Sequence, residues 1–262
     1  IINSYFLLTI IEDLFNEKKI SYNKVLLLSL FTAFLISIRT LGLIIFLQYL
    51  ISLIILFNVK KINFFEFIEK NFKVLIVYIL STLLLIYLLN PIFWENPYQL
   101  VLSIKWMSKY FNNICTLTLG DCMSSLSLPS SYYFIWIFFK LPIFILLGLV
   151  FFPFVEKKIF DQKILTIYYG TLLFSTLAII FIFIFLRINI YDELRHVMFL
   201  FPMIFLISLV NIYYFNRKIF YTLGSIVIIF FILENKSLNP YQYTWLNSFA
   251  KFTNIQKNFE ID

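Results

Sequence analysis

Apolar residues in this chain run on continuously instead of alternating with polar ones. The runs cover 25–38, 41–57, 74–89, 134–154, 164–186, 197–214 and 219–233, with a partial run over 1–11. A helix that crosses the hydrocarbon of a bilayer needs about 17–25 apolar residues, whereas a membrane barrel shows a two-residue alternation over strands of about ten. The pattern therefore predicts an all-α, polytopic transmembrane helical bundle of about seven spans plus one partial span, with partly helical outer loops. The run 25–57 is broken only by Arg39-Thr40 and predicts two short helices meeting at Ile38–Gly42. Residues 62–73, where Ile62, Phe64, Phe65, Phe67, Ile68 and Phe72 mix with Lys and Glu, predict an amphipathic helix lying on the membrane surface.

Charge gives the bundle an expected direction. Lys18, Lys19 and Lys24, then Lys60, Lys61, Lys70 and Lys73, then Lys157, Lys158 and Lys163, then Arg217 and Lys218 fall in four short alternate connections. Basic residues near span ends stay in the cytoplasm. Stretches 90–133, 187–196 and 234–262 then lie outside, in a multi-pass integral protein of a bacterial inner (plasma) membrane with its active face outward. The expected division is a helical region over 1–233, with outer loop 90–133, and an outer segment over 234–262 leading into a further C-terminal region. A start at Ile1 inside an apolar run reads as an internal fragment of a longer protein.

Composition narrows the classes. The 262 residues are 61% hydrophobic, 21% aromatic and 13% charged, and mean hydropathy is +0.91. Soluble domains hold roughly 45–50% apolar and about 25% charged residues, and disordered chains are poorer still in apolar side chains. The formal charge of +7 sits in short clusters between apolar runs, which argues against a nucleic-acid partner.

Residues able to carry chemistry are few. All fourteen acidic residues fall in connections or at span ends, which disfavours ion-coupled transport through carboxylates at depth. Arg39 sits at the apex of the 25–57 run; its guanidinium either grips a phosphate or snorkels to the headgroups. Tyr191-Asp192-Glu193-Leu194-Arg195-His196 places two carboxylates, a guanidinium and the chain's one histidine at the mouth of a span. Arg195 and His196 suit an anionic phosphate, with Asp192 or Glu193 orienting the guanidinium; an ordinary charged helix end reads the same way. One histidine and two cysteines make no closed zinc site, so no resident metal is expected, although Glu95, Asp121, Asp192 and Glu193 are compatible with a divalent cation. Cys115 and Cys122 form either a local disulfide or two free thiols. The outer aromatics Phe93, Trp94, Tyr98, Trp106, Tyr110, Tyr132, Tyr133, Tyr241, Tyr243 and Trp245 read as an interfacial belt, with sugar-stacking platforms as the sharper option.

Five stretches, in order, carry a resemblance. Tyr191-Asp192-Glu193-Leu194-Arg195-His196 with Phe199 and Pro202 resembles the YDGLRH segment of polytopic GT-C fold glycosyltransferases related to protein O-mannosyltransferases. Asn239-Pro240-Tyr241-Gln242-Tyr243 with Leu246-Asn247 is similar to that family's HPYQYVYFN. Asn90-Pro91-Ile92-Phe93-Trp94 with Asn96-Pro97, and Leu128-Pro129-Ser130-Ser131-Tyr132-Tyr133 with Pro142, resemble its outer Pro-Trp-Pro and PWYY segments. Phe259-Glu260-Ile261-Asp262 resembles the start of FE.DYWG.

The resemblance implies a membrane glycosyltransferase (a hexosyltransferase) that moves a sugar from a polyprenyl-phosphate donor to an acceptor glycan, lipid or protein. It implies Arg195, His196 and Arg39 near the donor phosphate, and Asp192, Glu193, Tyr241, Tyr243 and Asn247 in supporting or acceptor-side places. The family's catalytic acid would precede residue 1. The family often has Gly at the place of Glu193 and Lys at that of Arg39. Competing expectations are a flippase or transporter of lipid-linked sugars, and a fragment without catalysis.

Overall fold

The structure, a computed structural model, describes residues 1–38, 40–99, 101–102, 113–188, 190, 194–238, 245–253 and 255–259. Helices dominate. In chain order they are α1 (Ile2–Phe15), α2 (Tyr22–Ile38), α3 (Ile45–Lys60), α4 (Phe64–Leu89), α5 (Ile92–Glu95), α6 (Ser131–Lys140), α7 (Ile143–Val150), α8 (Phe152–Phe160), α9 (Lys163–Phe185), α10 (Leu200–Phe215) and α11 (Arg217–Ser237). Strands β1 (Cys115–Thr118) and β2 (Asp121–Ser124) form a small antiparallel hairpin. The chain divides into two compact units, Ile1–Tyr110 with Gln162–Ser175 and Phe111–Asp161 with Thr176–Asp262. Each is taken by itself below.

Among the described residues, four helices are long and apolar enough to cross a membrane: Leu41–Lys60, Phe64–Leu89, Lys163–Phe185 and Arg217–Lys236. These suit a multi-pass membrane protein. The seven expected spans are not all matched, and the reasons are geometric. The run 134–154 is split between α6 and α7, which bend by 118°. Pro142 has no N–H to continue the first helix and disfavours a helical residue before it, so the chain breaks at Leu141. Helices α2 and α10 have 17 and 16 residues, about 25 Å each at 1.5 Å per residue. That is short of a hydrocarbon layer of about 30 Å. The surface helix expected over 62–73 is not separate. Asn63 caps the N-terminus through its side chain to Phe65 N, and one helix then runs unbroken for 26 residues to Leu89.

In the first unit, small polar residues let helices approach closely. Ser29 on α2 meets Ser81 on α4 at 2.7 Å, and Asn90 reaches Ser37 at 2.7 Å. In a bilayer, where apolar burial gives no preference for one helix over a lipid tail, such contacts choose the partner. The α2–α3 apex folds back tightly: a Cβ at Gly42 would strike the Leu35 carbonyl, so only glycine fits. At the lysine-rich end, α1 is tied to three other helices. Asp13 pairs with Lys24, Glu17 with Lys60 at 2.8 Å, and Glu12 accepts from Tyr168 OH at 2.6 Å.

The second unit has two distinct ends. At one, Phe151 stacks on Phe215 with ring centroids 4.2 Å apart, beside Lys157, Lys158, Arg217 and Lys218 in sequence. At the other stand α6, the hairpin and the segment before α10. Between them α7 crosses α10 closely. A Cβ on Gly148 would fall on the Ser208 side chain and within 2.7 Å of its carbonyl. The contact is sealed by Ser208 Oγ donating to Ile145 O at 2.7 Å and Asn211 Nδ2 to Gly148 O at 3.0 Å.

Candidate functional site

The described part of the candidate site is a single 3₁₀ turn, Arg195–Val197, at the head of α10. Leu194 and Val197 are 2% exposed, and Val197 N donates to Leu194 O at 2.8 Å. These two apolar anchors pin the turn to the protein. Arg195 between them is exposed, and His196 is half-buried. The sequence Leu-Arg-His-Val thus becomes an anchored turn with Arg195 on its exposed side.

Several contacts tie the end of α9, a few residues before this turn in sequence, to the hairpin of the second unit. Helix α9 closes with Arg187 in the left-handed region, φ 48°, and Ile188 N returns to Phe183 O at 3.0 Å. The next carbonyl, Ile188 O, accepts from Tyr133 OH at 2.7 Å. Three residues further along α6, Trp136 donates its indole N–H to Thr118 Oγ1 of β1 at 3.1 Å. Hairpin, α6 and the residues that close α9 are therefore one packed region. Within the hairpin, Cys115 and Cys122 are disulfide-bonded with Cα atoms 5.4 Å apart, which resolves the open choice between a bridge and two thiols.

The outer aromatics separate into two groups. Tyr132 and Trp136 are fully buried, and Tyr133 is 4% exposed. Phe259 packs against both Trp136 and Phe139 at 5.4 and 5.0 Å. These rings form a core, so none of them offers a face to a sugar. Trp94 and Tyr98 are exposed, with the Trp94 N–H on Tyr87 O at 2.8 Å. Trp245 packs edge-on to Phe231 and donates to Glu234 Oε2 at 3.2 Å.

Asn247, expected on the acceptor side, has its side chain fully engaged. Its Nδ2 donates to Phe138 O and Leu141 O at 2.6 and 2.8 Å, and its Oδ1 accepts from Phe249 N at 3.0 Å. Its backbone N–H reaches Phe139 O at 2.8 Å. The residue closes the end of α6 and caps the short helix Ser248–Lys251, a structural task. Arg39, Asp192, Glu193, Tyr241 and Tyr243 lie outside the described residues, as do Tyr191, Trp106 and Tyr110.

Sequence reasoning passed over one cation. Lys140 interrupts the apolar run 134–154 and stands in the last turn of α6, its ammonium 5.6 Å from the Trp136 ring centre. A lysine there complements the negative end of the helix dipole. The signal was legible as a charge followed directly by Leu-Pro. Among the described residues no three His, Cys, Asp or Glu side chains gather closely enough to hold a metal ion. The chain matches no family model, no curated protein and no solved structure.

Proposed function

We propose that this chain is part of a membrane glycosyltransferase that moves a sugar from a polyprenyl-phosphate donor to an acceptor glycan, lipid or protein on the outer face of a bacterial inner membrane. The observation that carries the reading is the anchored turn with Arg195 and His196 at the head of α10. Disulfides persist in oxidising compartments. The Cys115–Cys122 bridge thus supports, independently of the lysine clusters, an outward direction for the hairpin. The ordered resemblance in five stretches supplies the chemistry.

In this reading the guanidinium of Arg195 grips the donor phosphate through paired N–H bonds, with His196 beside it. The bond between the sugar's anomeric carbon and the phosphate oxygen breaks, and the leaving phosphate takes the electron pair. The acceptor oxygen forms the new bond and gives its proton to a general base. Fixed positive charge where negative charge develops lowers that barrier. Arg39 is a further candidate cation for the donor phosphate, on the resemblance alone.

The reading is tested by donor affinity. Arg195→Ala in the full-length protein is expected to weaken polyprenyl-phosphate binding by roughly 10- to 100-fold, the value of a lost charge-assisted contact. An unchanged Kd would remove Arg195 from the donor site. A flippase or transporter of lipid-linked sugars would share the basic mouth but also needs a polar route through its spans. The neutral polar side chains of the first unit are largely bonded to one another and to helix carbonyls, an arrangement that favours helix clamping over passage.

A further inference from the structure

The first unit contains a buried polar seam with one unfinished member. Thr32 Oγ1 accepts from Asn3 Nδ2 at 3.0 Å and from Tyr78 OH at 3.3 Å, and lies 2.6 Å from Tyr49 OH. Tyr49 OH in turn donates to Asn3 Oδ1 at 2.8 Å. Beside this closed set, Gln48 accepts from Ser4 Oγ at 2.9 Å through its Oε1. Gln48 is 2% exposed, yet its Nε2 has no hydrogen-bond partner. Asn58, Asn71 and Asn235 return their amides to the carbonyl four residues earlier. Gln48 does not, because its carboxamide is turned across to Ser4 on α1. Rotating the carboxamide by half a turn would exchange its ends and leave the oxygen unpaired instead. One buried end lacks a partner either way. Thr82 Oγ1 and Thr171 Oγ1 are also buried without a partner, but a helical threonine hydroxyl reaches the i−4 carbonyl by a χ1 rotation alone, so neither asks for a ligand.

Position narrows what the partner is. Gln48 is one turn into α3, twelve residues from Lys60 and thus about 18 Å from the lysine-rich end. In a hydrocarbon layer of about 30 Å that depth lies just past the middle, so an oxygen from outside the chain has to penetrate along the helices to meet the carboxamide. Buried polar groups in a bilayer core are otherwise satisfied internally.

We propose that the Gln48 carboxamide, where α3 meets α1 at Ser4, holds an oxygen-bearing molecule from outside the chain. The oxygen comes either from a lipid or from water. This site is independent of the sugar-transfer reading and stands or falls without it.

The test is side-chain amide NMR on the full-length protein, ¹⁵N-labelled at glutamine, in nanodiscs of phosphatidylethanolamine and phosphatidylglycerol. The Gln48 resonance pair is assigned by its loss in Gln48→Met, or in Gln48→Asn if the first variant does not fold. Cross-peaks from this pair to lipid glycerol or headgroup protons support a lipid oxygen. Cross-peaks to water protons support a bound water. A Gln48 amide with cross-peaks to neither has found its partner within the protein, and the proposal is then wrong.

Discussion

Replacing Asn247 with alanine should release the segment that follows it from α6. Three side-chain hydrogen bonds disappear: two from Nδ2 to Phe138 O and Leu141 O, and one from Phe249 N to Oδ1. Losing a cap acceptor costs about 1 kcal/mol. Losing each amide–carbonyl bond costs about 1 kcal/mol more, with the α6 carbonyls left unpaired in a buried place. The sum is about 3 kcal/mol, or roughly a hundredfold rise in the undocked population. Hydrogen–deuterium exchange at the Phe249 and Ala250 amides reads this directly, since both bond to Asn247. Asn247→Asp separates the contributions. It keeps an acceptor for the cap but cannot donate to the two carbonyls, and should fall closer to alanine than to the native residue. Exchange at these amides changing by less than about threefold in Asn247→Ala would refute the reasoning, because it would mean the bonds do not hold the segment.

Other outcomes follow from single contacts. Gly148→Ala should destabilise the second unit by about 1–3 kcal/mol through overpacking against Ser208, seen as a lower thermal midpoint in detergent; an unchanged midpoint would mean that the α7–α10 crossing is loose. Thr32→Val should cost about 2 kcal/mol, since Asn3 and Tyr78 both lose an acceptor, and denaturant unfolding of the variant measures it. The Glu17 carboxyl is held below its ordinary value by its hydrogen bond to Lys60 and by the charges of Lys60 and Lys70. A lowered folded-state value means that the Glu17–Lys60 pair stabilises the protein above the ordinary carboxylate range and is lost as pH falls through the folded value. Stability of the native protein should therefore drop more steeply on acidification than that of Glu17→Gln. Replacing both Cys115 and Cys122 with serine should loosen the hairpin by about 2.5 kcal/mol on loop-closure grounds, read as faster amide exchange at Gly120 and Ser125.

Much of the helical architecture was legible because continuous apolar runs have few physical outcomes. The 25–57 run shows both the reach and the limit of that reading. Arg39-Thr40 and Gly42 announced a reversal, and α2 and α3 do meet there through the turn Thr40–Ile44. Pro142 was equally visible, but hydropathy averaged over 134–154 hid the bend it causes. Asn63 supplied a cap whose effect was not to start a surface helix but to begin the long one. At the candidate site, the chemical character of Arg195 and His196 could be read from residue type, whereas their anchoring by Leu194 and Val197 could not. Asn247 was singled out through resemblance, and its role in holding α6 depends on contacts more than a hundred residues away in sequence. Gln48 looked like one polar residue in an apolar run; only the packed helices expose its unpaired end.

The central claim is sugar transfer from a polyprenyl phosphate at the Arg195 end of the protein. Its most direct test is radiolabelled transfer by the full-length protein, reconstituted in liposomes with a polyprenyl-phosphate-linked sugar. The native protein should move label to acceptor, and Arg195→Ala should lose activity by roughly tenfold or more, the value of a charge-assisted phosphate contact. Full transfer by the Arg195→Ala protein, or none by a folded native protein across a range of polyprenyl-linked sugars, would contradict the account.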